Sequence, residues 1–135
     1  MDSFPLRLDE FPAHLGRGAT ARSLPRFDGT MEWYMRYGED TASDGDAGWL
    51  VSWFHFTEPW PSWEVHPHGH EVVVCVDGEA DVIQEIDGAQ SGLRIAKGEW
   101  FYNPPGAWHT MDVAEGGSCT CLFITAGRGT ENRAR

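Results

Sequence analysis

The sequence predicts an all-β fold, a barrel or sandwich of short strands, and three observations lead there. Apolar, aromatic and β-branched runs of strand length recur from Trp49 onward. Turn signals separate them at intervals of roughly 8–12 residues, the spacing of sandwiches and barrels and not of alternating α/β units. The chain is also rich enough in apolar groups to build a core: 41% of its 135 residues are hydrophobic and 13% aromatic, which argues against disorder.

Residues 1–48 read as an extended arm punctuated by Pro5, Pro12 and Pro25. Within it Met31–Gly38 has the makings of a short helix, with Gly38 as its stop. Its aromatics are expected to pack on the barrel or on a second subunit. Residues 49–126 are the expected barrel. Trp49–Phe56 is the first strand, broken by Glu58-Pro59-Trp60-Pro61, and Ser62–His66 the second. Val72–Val76 is the third, closed by the Asp77-Gly78 turn signal, and Ala80–Ile86 the fourth, closed by Asp87-Gly88. Leu93–Ile95, Trp100–Tyr102, Trp108–Val113 and Cys119–Thr125 complete the set. Residues 127–135 carry Arg128, Arg133 and Arg135 and read as a loose end or as a segment folding back over a neighbouring barrel mouth.

Charge and composition exclude several partners. Ten Lys and Arg against 21 Asp and Glu give a net charge of −11, which repels phosphate backbones and anionic bilayers. No apolar run reaches the ~18 residues of a membrane span, and no secretory leader pattern opens the chain. The expectation is a cytoplasmic protein without nucleic-acid or membrane partners. Cys119 and Cys121 lie two apart on one face of a predicted strand, where a bridge between them has poor geometry. The three cysteines are expected as reduced thiols in packing roles, with zinc binding by that pair as the alternative. Most of the seven Trp are expected in the core or at a dimer contact.

Histidine is where the chemistry concentrates. His66-Pro67-His68-Gly69-His70-Glu71 and the isolated His109 hold four of the six His. Neutral imidazole binds first-row metals well, and a carboxylate completes such a shell. Glu64 and His66 would end one strand and Glu71 begin the next, with His109 arriving from a distant strand. A solvated His-rich loop is the competing reading.

The spacing of these residues resembles the two motifs of the cupin superfamily. Glu71 is followed by six residues and Gly78, with His66 where the second His of the first motif belongs. The second motif, Gly-five residues-Pro-x-Gly-two residues-His, is complete in Gly98–His109. The resemblance covers roughly Trp49–Thr125 and is to small single-domain cupins of unsettled activity. It implies a double-stranded β-helix (jelly-roll) barrel, often a homodimer, holding one divalent transition metal (Fe, Mn, Ni, Zn or Cu). The implied ligands are His66, Glu71 and His109. The family's fourth ligand position falls on Glu64, a departure. Three readings of that departure stay open: Glu64 itself ligates, His68 or His70 substitutes through a shifted turn, or the site is vestigial.

The reading that follows is a mononuclear metal enzyme of dioxygenase, isomerase or lyase type acting on a small molecule, with Glu64 and Tyr102 as candidate acid/base groups. Trp53, Trp108 and Phe123 are candidate walls of an apolar pocket. A non-catalytic module that binds or senses a small ligand, with a degenerate metal site, is the alternative.

Overall fold

Ten strands build one curled, antiparallel sheet in the computed structural model, which describes residues 3–135. They are β1 (Ala13–Gly16), β2 (Thr20–Ser23), β3 (Trp49–Phe56), β4 (Ser62–Val65), β5 (Glu71–Ile86), β6 (Ala89–Ala96), β7 (Trp100–Asn103), β8 (Trp108–Asp112), β9 (Cys119–Thr125) and β10 (Glu131–Ala134). One helix, α1 (Met31–Asp40), and a 3-10 segment (Ala42–Ala47) join the arm to the barrel. The main path runs β10-β4-β8-β5-β9-β3-β1-β2, with β6 and β7 both paired to β5. Among the described residues no helix is long and apolar enough to cross a membrane.

Strand β5 organises the barrel. Its first half pairs β9 and β7, and its second half pairs β6 and β8. The sequence expectation of two strands closed by a turn at Asp77-Gly78 is corrected here: one 16-residue strand runs through the pair, with a bulge at Val76 just before it. Before the bulge the odd residues Glu71, Val73 and Cys75 face inward, and after it the even residues Ala80 and Val82 do. The extra residue resets the alternation and bends the strand from one half of the sheet into the other. Gly78 has φ +77°, and a Cβ there would run into the Ser118 carbonyl oxygen. Asp87-Gly88, by contrast, is the expected hairpin, with positive φ at both residues, and joins β5 to β6.

The core follows from these parities. Phe56, Val73, Val82, Ile95, Met111 and Phe123 fill the barrel, together with the three cysteines. A second cluster (Leu24, Trp33, Tyr37 and Leu50) fastens the arm, with Phe27 and Tyr34 packed against it. The arm is more ordered than its sequence indicates. β1 and β2 form a hairpin that extends the sheet beyond β3. Its turn places Gly18 at φ +72° and Ala19 at φ +57°, the second a conformation alanine rarely takes.

Helix α1 runs past Gly38 to Asp40, and this corrects its expected stop. Thr30 opens the helix by accepting from the Trp33 N–H, and Thr41 closes it by donating both its N–H and its Oγ1–H to the Tyr37 carbonyl. The C-terminal residues are not a loose end: β10 pairs with β4, and Arg133 lies over Trp63 and Trp108.

Candidate metal centre

Four side chains from three strands meet inside the barrel. Glu64 on β4 is the register partner of His109 on β8, so both face the same side of the sheet. His66 follows β4, and Glu71 is the first inward residue of β5. His66 Nε2 lies 3.0 Å from Glu71 Oε2, and His109 Nε2 lies 3.2 Å from Glu71 Oε1. His66 Nε2 is 4.0 Å from Glu64 Oε2. Ligand atoms of Glu64, His66 and His109 all lie within 4.8 Å of one another.

The surrounding hydrogen bonds set each donor. Thr130 gives its hydroxyl proton to the Gly127 carbonyl, so at 2.9 Å it accepts from His66 Nδ1–H. His109 Nδ1 faces the Ala107 carbonyl at 3.2 Å, and a carbonyl only accepts. Both rings therefore carry their proton on Nδ1 and turn Nε2 toward the cluster. Glu71 is held from both neighbouring strands by its register partners: Asn103 Nδ2–H donates to Oε1 and Thr125 Oγ1–H to Oε2. Gln84 donates to Asn103 Oδ1 and so fixes which end of that amide faces Glu71.

The electrostatics are those of a site built around positive charge. Burial works to raise the Glu71 carboxyl, but the imidazoles of His66 and His109 overcome it and hold the group well below the usual carboxylate range. Burial works to lower His109, and Glu71 beside it lifts it above the ordinary imidazole value. Burial raises the Glu64 carboxyl, although a quarter of its side chain still faces the cavity.

Orphaned atoms point the same way. Among the described residues the buried side-chain nitrogens and oxygens without a hydrogen-bond partner are Trp60 Nε1, His66 Nε2 and His109 Nε2. The two imidazole nitrogens are close to Glu71 but misaligned for hydrogen bonding, so they converge as lone-pair donors. Two imidazole lone pairs and two carboxylates facing one another require a shared cation. A proton on His109 meets that need, and a divalent metal ion would meet it as well. Two His and two carboxylates are a donor set that fits a first-row divalent ion.

A cavity of about 430 Å³ opens beside the cluster, with Glu64, His66 and Glu71 on its wall. Its other surfaces are largely aromatic and include Trp53, Phe54, Trp60 and Phe123 from the barrel. Phe27 and Tyr34 reach it from the arm. Tyr34 is pushed well above the ordinary tyrosine range, first by burial and then by the nearby charges of Glu64 and Glu71.

The sequence candidates divide accordingly. Glu64, His66, Glu71 and His109 come together. His70 does not: it is exposed, with its ring 5.3 Å from that of Tyr102. Pro67 to Gly69 form a turn that carries it outward. His68 is also exposed, 3.8 Å from Asp46. Tyr102 has 53% of its surface exposed on β7 and does not line the cavity; its neighbour Asn103 faces inward instead. Trp53 and Phe123 line the cavity, whereas Trp108 lies under Arg133. Sequence reasoning missed Asn103, Thr125, Thr130 and Tyr34. Asn103 carried a weak signal, standing just before the Pro104-Pro105-Gly106 turn; the other three depend on pairings and packing that no local pattern marks.

No protein-family model and no curated relative matches the sequence. Solved structures do. Oxalate decarboxylase from Lactobacillus farciminis, in a formate complex, is 13% identical with a TM-score of 0.54, over 64% of this chain and 26% of that one. An oxalate oxidase is 16% identical with a TM-score of 0.53, over 61% of this chain and 44% of that one. Hydroxypropylphosphonic acid epoxidase from S. wedmorenis, in complex with fosfomycin, is 14% identical with a TM-score of 0.50, over 57% and 43%. The matched region is less than half the length of each of these chains. At such identities the likeness speaks for fold alone, and together with the curled antiparallel sheet it gives this chain an all-β cupin fold, a double-stranded jelly-roll barrel.

Proposed function

We propose that the protein is a metal-binding cupin that handles an uncharged, predominantly apolar or aromatic small molecule at one divalent ion held by Glu64, His66, Glu71 and His109. The observation that carries this is the convergence of two orphaned, buried Nε2 atoms on a carboxylate pair at the wall of an aromatic cavity. A bound ion would supply Lewis-acid polarisation of a ligand oxygen or open positions for dioxygen. The reaction classes open to it are oxygenation, isomerisation and lyase cleavage.

The chain's own residues define the ligand. No Lys or Arg lines the cavity among the described residues, while Glu64 and Glu71 do. A dianion such as oxalate, the compound named in two of the structural matches, would meet carboxylates and no positive side chain here. A planar apolar ring would instead bury its faces against Trp53, Phe54 and Phe123, with Phe27 and Tyr34 limiting water. Glu64 has a raised affinity for its proton and stands at the cavity wall, the placement of an acid/base group when it is not ligating.

Metal content of the untagged protein tests the reading. The expected result is one equivalent of a transition metal, lost in His66→Ala and in His109→Ala. Absence of metal after reconstitution with iron, manganese, nickel, zinc and copper overturns it. Thermal-shift screening then checks the ligand class: neutral aromatics are expected to stabilise the loaded protein and small dicarboxylates to leave it unchanged.

A further inference from the structure

Cys75, Cys119 and Cys121 bring three sulfurs together in the barrel interior, away from the His/Glu cluster. Cys75 is four residues along β5 from Glu71, about 13 Å at the usual strand rise. Cys121 is the register partner of Cys75, and Cys119 lies two residues earlier on the same face of β9. The Sγ atoms of Cys75 and Cys119 are 3.8 Å apart, and those of Cys119 and Cys121 are 3.5 Å apart. All three sulfurs fit within 4.8 Å of one another, and each residue is fully buried. Residues two apart on a strand have Cα atoms about 6.6 Å apart, so the Cys119 and Cys121 side chains lean toward each other to meet.

We propose that these three cysteines form a second metal site, one that takes a single thiophilic d10 cation, Cu(I) or Zn(II). Metal–sulfur bonds of about 2.3 Å place the sulfurs of a shared ion about 3.8–4.0 Å apart; the Cys75–Cys119 and Cys119–Cys121 pairs match this to within a few tenths of an ångström, and the third pair lies within 4.8 Å. An all-sulfur set selects soft ions over those that favour the His/Glu cluster. The carbonyl oxygens of Asp77 and Gly78 accept from the Cys75 thiol at 3.5 and 3.4 Å and fix its place in the cluster.

Binding releases the thiol protons that the ion displaces, with no change of oxidation state. Because the sulfurs are closed from solvent, the ion enters as β5 and β9 pair, and it exchanges slowly afterwards.

The test is reduced full-length protein refolded anaerobically with one equivalent of Zn(II) or Cu(I), in a His66→Ala/His109→Ala background that removes the other centre. One retained equivalent of either ion is expected, with Co(II) substitution giving sulfur-to-metal charge-transfer absorption. In an otherwise unchanged chain, Cys119→Ala is expected to lose that absorption while the His/Glu centre still loads. X-ray absorption on the unmutated protein guards against a variant that fails to fold, with three sulfur scatterers expected. No retained metal in the double-alanine background, or an ion with only nitrogen and oxygen neighbours, overturns the proposal and returns the three thiols to a packing role.

Discussion

His66 Nδ1 and Thr130 Oγ1 lie 2.9 Å apart, joining a histidine at the end of β4 to the chain just before β10. Since Thr130 spends its proton on the Gly127 carbonyl, it fixes the His66 tautomer and aims Nε2 at Glu71. Thr130→Val keeps the shape and removes the acceptor. Partners of this kind typically contribute 10–100-fold in metal affinity. Competition titration with a chelator should show a loss in that range for Thr130→Val and near-normal affinity for Thr130→Ser. Equal affinity in all three proteins would remove Thr130 from the site's design.

Gly78 is expected to be intolerant of any side chain. Alanine there meets both a positive φ and the Ser118 carbonyl. Strain of this kind costs about 1–3 kcal/mol before the clash is counted. Urea unfolding of Gly78→Ala should show a free energy of unfolding lower by at least that amount. Gly88→Ala has the same sign of φ but nothing within 4 Å of the new Cβ, and should lose less.

Phe123 packs in the core and lines the cavity. Phe123→Ala should cost about 3–5 kcal/mol if the site stays rigid. It should also enlarge the cavity, so that bulkier aromatic ligands gain affinity relative to small ones in thermal-shift ranking. A variant that loses stability without any change in ligand ranking would place the ligand elsewhere.

Much of this was legible in the sequence, for physical reasons that differ by element. Strands β3 and β9 fall on their expected bounds because their apolar runs end at real breakers, Glu58-Pro59 and Gly127. Glu64, His66 and Glu71 were visible because they flank the short turn that separates β4 from β5, and His109 because it closes the Gly98–His109 motif. Asp77-Gly78 misled because Gly78 takes the positive φ of a turn while the strand continues through it past a bulge at Val76; only the pairing of β5 with β9 shows this. His70 and Tyr102 misled through strand parity, since one extra turn residue reverses which face a side chain takes. Thr130, Thr125 and Tyr34 act across 54 or more residues or from a separate element, and one-dimensional spacing carries no record of that.

The arm is clasped by a chain of hydrogen bonds with a definite pH signature. Tyr37 on α1 meets His14 Nδ1 at 2.9 Å, and His14 Nε2 meets Asp44 Oδ2 at 2.7 Å. The His14 contact, with help from the Arg17 N–H, holds the Asp44 carboxyl below its ordinary value. A carboxyl whose folded pKa is depressed contributes stability that is fully present above its unfolded value and is lost as pH falls through its folded value. The unfolded state then binds the proton first, so unfolding becomes easier with acid. Stability of the parent protein should therefore fall more steeply than that of Asp44→Asn as pH drops from about 5 to about 2. The two curves should converge at the acid end. Because the arm carries Phe27 and Tyr34 to the cavity, hydrogen exchange in α1 should rise over the same window in the parent and already be high in Asp44→Asn. Parallel curves, with no convergence at low pH, would mean that Asp44 contributes nothing to holding the arm in place.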